Sequence, residues 1–312
     1  MKLAQLRTFV AIVDSGGFAR AAERLHLTQP ATSHQISLLE KEFGVMLFDR
    51  KGRTVKLTPE GEDLLRRSRR LLGDAELLGE RARALRGGQV GPLRISATPQ
   101  VIENILAPFL VKFLRRRPGV DIQLLESGSA RLEQLEAGEI HLAIMPYAEA
   151  QRFERRLLYP IHVLAVLAKA HRFGRRSVLD ITQLDGEPVL LLKHGFGARG
   201  WFQSACEAAA IRPRILLESG APATLVALAQ VGHGVAIIPS NVNITRRSVR
   251  AVMLLHHAVP IGRWSSVVWN ARRYLPAYAA QFADELVAEL RVTYPGQEFS
   301  RRAPALPRPV EE

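Results

Sequence analysis

Between Thr28 and Phe43, hydrogen-bonding side chains and a cation gather on one face of a helical repeat. Pro30, Ser33, His34, Ser37 and Lys41 share that face, while Thr32, Ile36, Leu39 and Phe43 share the opposite one. A helix of this kind can press its apolar stripe on a core and lay its polar tips in the major groove. There each base pair presents a distinct pattern of donors and acceptors. Thr28 suits the N-cap, Pro30 falls in the first turn where its missing N–H costs nothing, and Gly44 is placed to stop the helix. Downstream, Val45 to Arg50 and Thr54 to Leu57 read as two short strands around Lys51-Gly52-Arg53. Arg50, Lys51, Arg53 and Lys56 on this hairpin suit phosphate contacts.

The elements that would position these side chains precede them. Leu3, Leu6, Phe9 or Val10, and Val13 recur at helical spacing and end at Gly16-Gly17. Phe18, Ala21, Ala22 and Leu25 line a short second helix, whose alanines allow close helix–helix approach. Three helices followed by a basic hairpin predict an α-helical winged helix-turn-helix domain. The competing reading is a helical packing module with solvated polar faces. The cap, the glycine stop and the hairpin in succession favour double-stranded DNA as the partner.

This stretch resembles the N-terminal domain of LysR-type transcriptional regulators. The matching residues are Leu6, Phe9, Val10, Gly17, Phe18, Ala21, Ala22, Leu25, Gln29, Pro30, Ala31, Ser33, Ile36, Leu39, Glu40, Gly44, Leu47, Phe48, Arg50, Leu57, Thr58 and Gly61. The resemblance continues more loosely to about residue 295. It implies base contact by Gln29, Pro30 and Ser33, and places Arg53 in the minor groove or on phosphate. The candidate DNA-binding set is therefore Thr28, Gln29, Pro30, Ser33, His34, Ser37, Arg50, Lys51 and Arg53. His34 departs from the family, which usually has arginine there. Histidine is shorter, titrates near neutrality and cannot make arginine's bidentate contact with guanine. A guanine preference therefore does not transfer.

The 312 residues suit two domains, and 47% apolar content supports substantial cores. The net charge of +13 suggests a polyanionic partner. Residues 1–58, however, carry nine Lys and Arg against five acids, so most of the excess lies elsewhere. The motif, not the charge, carries the DNA reading. A single cysteine, Cys206, excludes a disulfide within one chain and fits a reducing cytoplasm. The first helix is amphipathic, with Gln5, Arg7 and Asp14, rather than a signal peptide. No apolar run approaches the roughly 18 residues that span a bilayer, so a soluble cytoplasmic protein without a membrane partner is expected.

From Thr58-Pro59-Glu60, a cap, a proline and an acid open a long helix. Leu64, Ser68, Leu71, Ala75, Leu78, Ala82 and Leu85 alternate at four and three residues, a heptad seam. Over residues 59–88 such a helix runs about 45 Å, ending at Gly87-Gly88. With little of its own chain to cover the seam, self-association is expected. The resemblance implies the same: a linker helix pairing two DNA-binding domains, in a dimer or a dimer of dimers. Two-fold symmetry predicts a palindromic operator.

Beyond Gly91-Pro92, strand-like and helix-like segments alternate. Strands are expected at Leu93–Ala97, Val120–Glu126, Ile140–Met145, Pro188–Leu192, Arg214–Glu218, Val235–Ile238 and Ser266–Ala271. Helices are expected at about 102–117, 130–137, 198–211, 222–231 and 276–291. This pattern predicts parallel sheets covered by helices. The resemblance implies an α/β effector-binding domain of two lobes, similar to type 2 periplasmic binding proteins. Lobe one would hold about 92–165 and 267–295, and lobe two about 166–266. The expected division is 1–58 for DNA binding, 59–89 for the linker, 90–299 for the regulatory domain and 300–312 for a disordered tail containing Pro304, Pro307 and Pro309.

Ligands sit beyond the carboxyl ends of parallel strands. There the sequence supplies Thr98, Gln100, Ser129, Phe196 and Arg199 as candidate effector contacts, several at helix N-termini that suit an anion. Arg199 has the alternative of pairing with an acid such as Glu207. There is no nucleotide-binding Gly-Lys-Ser/Thr loop, His-Glu-x-x-His, Gly-x-Ser-x-Gly or cysteine cluster. His256 and His257, if on a strand, would face opposite sides and make a poor metal site. No enzyme and no cofactor are expected. A ligand-responsive regulator accounts for the whole chain, with RNA polymerase as a further partner the family allows. A solute receptor leaves residues 1–89 idle. A sequence-indifferent architectural protein would show no effector response.

Overall fold

The computed structural model describes residues 1–49, 55–85, 91–126, 132–147, 152–244, 248–301 and 304–309. The chain divides into two compact units, one of residues 1–88 with 132–140, the other of 89–131 with 141–312. No helix among the described residues is long and apolar enough to cross a membrane.

The first unit opens with α1 (Leu3–Ser15), α2 (Phe18–Leu25) and α3 (Gln29–Phe43). Leu6, Phe9 and Ile12 of α1 meet Ala21 of α2 and Ile36 and Leu39 of α3 in one core. Gly16 and Gly44 end α1 and α3 in the left-handed conformation that glycine adopts without steric cost. A two-stranded hairpin follows, β1 (Phe48–Asp49) pairing with β2 (Lys56–Leu57). Among the described residues the strands start at Phe48 and Lys56, later than the expected Val45 and Thr54. Phe48 sits edge-on against Phe9 and Phe18, with ring centroids 5.5 and 5.3 Å away, and this fixes the hairpin to the helices.

Helix α4 (Pro59–Leu85) is 27 residues long. One stripe, Gly61, Leu65, Ser68, Gly73, Leu77 and Glu80, is buried. Another bears seam residues Leu71 and Leu78, of which Leu78 is 71% exposed. The heptad reading therefore overlooked a second face. Gly73 lies on it because the end of α7 (Leu132–Ala137) comes close: a Cβ there would stand 1.9 Å from the carbonyl oxygen of Ala137.

The second unit is α/β. In one lobe β4 (Val120–Glu126), β3 (Gly91–Ala97), β5 (Leu142–Pro146), β13 (Gly262–Trp269) and β6 (Glu154–Ala168) lie side by side. Strands β3, β4 and β5 are parallel, whereas β13 is antiparallel to both β5 and β6. Against this sheet pack α6 (Ala107–Arg116) and α10 (Ala277–Val292), where Phe109, Phe113 and Phe282 form a ring cluster with centroids 5.1–5.8 Å apart.

The other lobe orders β6, β10 (Val235–Pro239), β8 (Pro188–Leu192) and β9 (Arg214–Ser219), with β8 parallel to its two neighbours. Strand β11 (Val249–His256) joins the free side of β6 and pairs with β7 (Val178–Asp180) and β12 (Val259–Pro260). Helices α8 (Gly197–Ala208) and α9 (Pro222–Gln230) pack on this core. Strand β6 runs through both sheets, antiparallel to β10, β11 and β13. The sheets are therefore mixed rather than parallel throughout. The alternation of strands and helices gave no sign of β6 or β11.

Two further expectations need correcting. His256 and His257 do not face opposite sides. His257 and Ala258 have positive φ, 48° and 62°, in the turn between β11 and β12, which brings the two imidazoles to 4.1 Å between centroids. No metal-binding group of His, Cys, Asp or Glu occurs among the described residues. Nor is the proline-rich segment wholly a loose tail, because the indole Nε1 of Trp264 donates to the Pro307 carbonyl at 2.9 Å.

His162 lies on β6 where it passes between the sheets, fully buried, with neither ring nitrogen bonded to a described residue. Burial holds its pKa down at about 4, so the folded ring stays neutral. The unfolded chain takes up that proton near the ordinary value of 6.5. Stability is thus full above pH 6.5 and should fall as pH drops towards 4, by about 3 kcal/mol at the lower limit. Urea unfolding at pH 7 and pH 4.5 checks this. His162→Gln should remove most of the difference, and an equal loss in that variant would assign it elsewhere.

Candidate nucleic-acid interface and ligand cleft

The amino end of α3 is held by its own chemistry. Thr28 Oγ1 accepts from the Ala31 amide at 3.3 Å, capping the helix. Thr32 is buried and its hydroxyl donates back to the Thr28 carbonyl at 3.1 Å. The opposite face is open. Thr28, Gln29, Pro30, Ser33, His34 and Ser37 are all exposed. The sequence-derived surface thus exists as one ridge of hydroxyl, amide and imidazole groups. Thr28 serves as a structural cap besides. Arg50, Lys51 and Arg53 lie outside the described residues.

The joint between α3 and the hairpin is built on Glu40. This residue is 8% exposed, and its Oε1 accepts from the amides of Leu47 at 2.8 Å and Phe48 at 3.4 Å. On the other side Leu47 O accepts from the Thr58 amide at 3.1 Å, and Thr58 Oγ1 caps α4 through the Gly61 amide at 2.9 Å. Gly61 is needed here because a Cβ would stand 2.2 Å from Leu47 O.

In the second unit a cavity of 460 Å³ opens at the carboxyl ends of β3, β5, β8 and β10. Four of the five residues proposed for it line its wall: Thr98, Gln100, Phe196 and Arg199. Ser129 lies outside the described residues. Thr98 and Gln100 sit at the start of α5 (Pro99–Val101), which continues through a π-helical turn, Ile102–Leu106, into α6. Phe196 is the N-cap of α8, and Gly195, at φ 93°, bends the chain into it.

Arg199 is 7% exposed, and its Nη2 pairs with Glu218 on β9 at 2.9 Å. The alternative partner, Glu207, instead accepts from Gln203. This corrects the sequence reading: Glu207 follows two turns later on the exposed face of α8, whereas Arg199 points inwards. Its Nε and Nη1 have no hydrogen-bond partner among the described residues, nor has Nε2 of Gln100, which is 4% exposed. Three buried N–H groups therefore border one cavity beside the amino end of a 12-residue helix. Unpaired buried donors are costly, and together they suit an acceptor-rich or anionic group.

Ile144, Met145, Pro146, Ile161, Leu192 and Trp201 give the cavity an apolar wall. Asn241 and Ser265 also line it and were missed. Asn241 follows the end of β10, so the carboxyl-end rule would have found it had the strand been carried past Ile238. Its Nδ2 donates to the Tyr159 hydroxyl at 3.3 Å, and burial pushes that phenol up to about 12. Cys206 on α8 is buried, and its thiol is pushed up to about 12 by desolvation, which makes it a packing group rather than a reactive one.

The chain matches the family model "Bacterial regulatory helix-turn-helix protein, lysR family" over residues 3–62 and "LysR substrate binding domain" over 86–291. It is 31% identical to the HTH-type transcriptional regulator ClcR of Pseudomonas putida, over 78% of this chain and 84% of that one. It is 33% identical to IlvR of Caulobacter vibrioides, over 82% and 88%. Among solved structures, a full-length OxyR variant from Pseudomonas aeruginosa superposes with a TM-score of 0.67 at 23% identity, covering 92% of this chain and 97% of that one. Full-length CbnR in complex with its target DNA gives 0.64 at 24% identity, over 93% and 100%. The chain belongs to the LysR family of DNA-binding helix-turn-helix transcriptional regulators.

Proposed function

We propose that this regulator is controlled by a small carboxylate or similar anion bound in the 460 Å³ cavity of its second unit. The observation that carries the reading is the set of unpaired buried donors on Gln100 and Arg199 beside the start of α8. An anion there would pair them and draw on the helix dipole. Glu218 already partners one edge of Arg199, so the unpaired Nε and Nη1 are what remains for the ligand. Thr98, Phe196 and Ser129 complete the proposed contacts. Residues 1–58 would read a palindromic operator through Gln29, Pro30, Ser33, His34 and Ser37, with Arg50 and Lys51 on the DNA backbone and Arg53 in the minor groove or on phosphate. Helix α4 would pair two copies through its Leu71–Leu78 face, and 90–299 would form the regulatory domain, all in the cytoplasm. Dimers pairing into tetramers and contact with RNA polymerase are further steps of the same reading, and no catalysis is part of it.

The test is fluorescence anisotropy on DNA from upstream of the protein's own gene, with excess unrelated competitor, followed by a panel of small carboxylates. A saturable, competitor-resistant complex whose affinity one carboxylate changes is the expected result. If the panel instead leaves both operator affinity and thermal stability unchanged, the anion reading is wrong. For an anion that binds, Arg199→Met should weaken the ligand at least tenfold, the loss of one charge-assisted hydrogen-bonding group. Equal affinity in the variant would remove Arg199 from the site.

A further inference from the structure

Away from the cleft, a second cavity of 540 Å³ lies between the outer end of α10 and the paired strands β6 and β13. Leu157, Pro160, Trp264, Leu290, Arg291 and Tyr294 line it, together with Arg308 of the proline-rich segment. We propose that the Trp264 side of this cavity is a recognition site for a polyproline-type peptide segment, and that residues 304–309 are its built-in ligand, closing the cavity as one of its walls.

Three observations carry the assignment. The segment reads Pro304-Ala305-Leu306-Pro307-Arg308-Pro309, whose prolines favour the extended polyproline conformation, with carbonyls left unpaired by any ladder. Next, Trp264 Nε1 donates to the Pro307 carbonyl at 2.9 Å, and the Arg308 guanidinium lies over the same ring, 5.6 Å from its centroid. An indole that both donates to a proline carbonyl and receives a cation on its face is how aromatic-lined grooves hold proline-rich ligands. Lastly, the surroundings of Trp264 are aromatic. Tyr294 is stacked on the buried Tyr159 at 5.3 Å between centroids, and Trp264 stands where the β13–β6 register shifts, opposite Pro160. Short reach favours occupation from within the same chain, because Arg301 to Pro304 spans at most about 11 Å. A ligand so tethered has an effective concentration in the millimolar range. The proposal rests on neither the anion reading of the cleft nor the DNA reading.

The experiment uses ¹⁵N-indole signals of the three tryptophans, with Trp264 identified by Trp264→Phe. The full chain is compared with one ending at Arg301, which keeps the buried Phe299. A peptide of residues 302–312 is then added to each. In the shortened chain the Trp264 signal is expected to move while those of Trp201 and Trp269 stay. The peptide should return it towards its full-chain position, half-saturating at a concentration at least tenfold lower than the full chain requires. A peptide with the three prolines replaced by alanine should fail at that concentration. An unmoved Trp264 signal on shortening, no return at 10 mM peptide, or equal action by the alanine peptide would each overturn the proposal.

Discussion

Ser33→Ala and Gln29→Ala should each weaken operator binding by about 1–3 kcal/mol while leaving binding to unrelated DNA unchanged. The structural argument is that neither residue holds the domain together. Both are exposed on α3, whose packing rests on Thr32, Ile36, Leu39 and Glu40 on the other side. Neither side chain caps the helix, which Thr28 does. Any affinity that alanine removes then measures direct interaction with base edges. Non-specific binding depends on phosphate neutralisation, which neither residue supplies, so the two DNAs separate the effects. Anisotropy titrations at one fixed salt concentration measure both, with thermal unfolding as a control for the fold. If both DNAs lose affinity equally, α3 is not the reading helix. Thr28→Ala is the poorer test, since it removes a cap costing about 1 kcal/mol together with any interaction with DNA.

Helices α1 to α3 were legible because their signals are local. A cap at Thr28, a glycine at 16 and another at 44, and apolar residues every three or four positions are each settled within a turn or two of helix. The loops that line the cavity were legible for a similar reason: residues after a buried strand lie at its carboxyl end whatever the sheet order. What escaped depends on distant partners. Strand β6, 15 residues long, is buried along nearly all of its outer half against β10 and β11. A continuous apolar run of this kind has no two-residue alternation to betray it. The partner of Arg199 proved to be Glu218 on β9 rather than Glu207 on the same helix, because the direction of a side chain inside the core follows from tertiary packing. On α4 the seam was visible and the second stripe was not. The close approach of Ala137 that makes Gly73 necessary involves a residue more than sixty positions away.

Glu40→Ala should have the largest effect on the first unit, about 3 kcal/mol of stability, and should abolish specific and non-specific DNA binding together at temperatures where the domain then opens. The carboxyl group replaces solvent for two buried amides, those of Leu47 and Phe48, and alanine leaves both without it. Each orphaned buried donor costs about 1–3 kcal/mol, against a total of about 5–15 kcal/mol for a domain. The damage also falls at a joint. Leu47 is held on one edge by Glu40 and on the other by Thr58, with Gly61 pressed against its carbonyl. Phe48, the next residue, sets the hairpin against Phe9 and Phe18. Gly61→Ala strikes the same joint from the opposite side, where overpacking of about 1–3 kcal/mol outweighs the gain of about 1 kcal/mol in helix propensity. Because both substitutions displace the same stretch of backbone, the double variant should lose less than the sum of the two. Urea unfolding of the four proteins measures this coupling. Strict additivity would mean that Glu40 and Gly61 stabilise separate features and that the hairpin does not hang on Leu47. Ser33→Ala is expected to unfold like the parent in the same measurement, so a residue proposed to read DNA and a residue that holds its helix in place give opposite results.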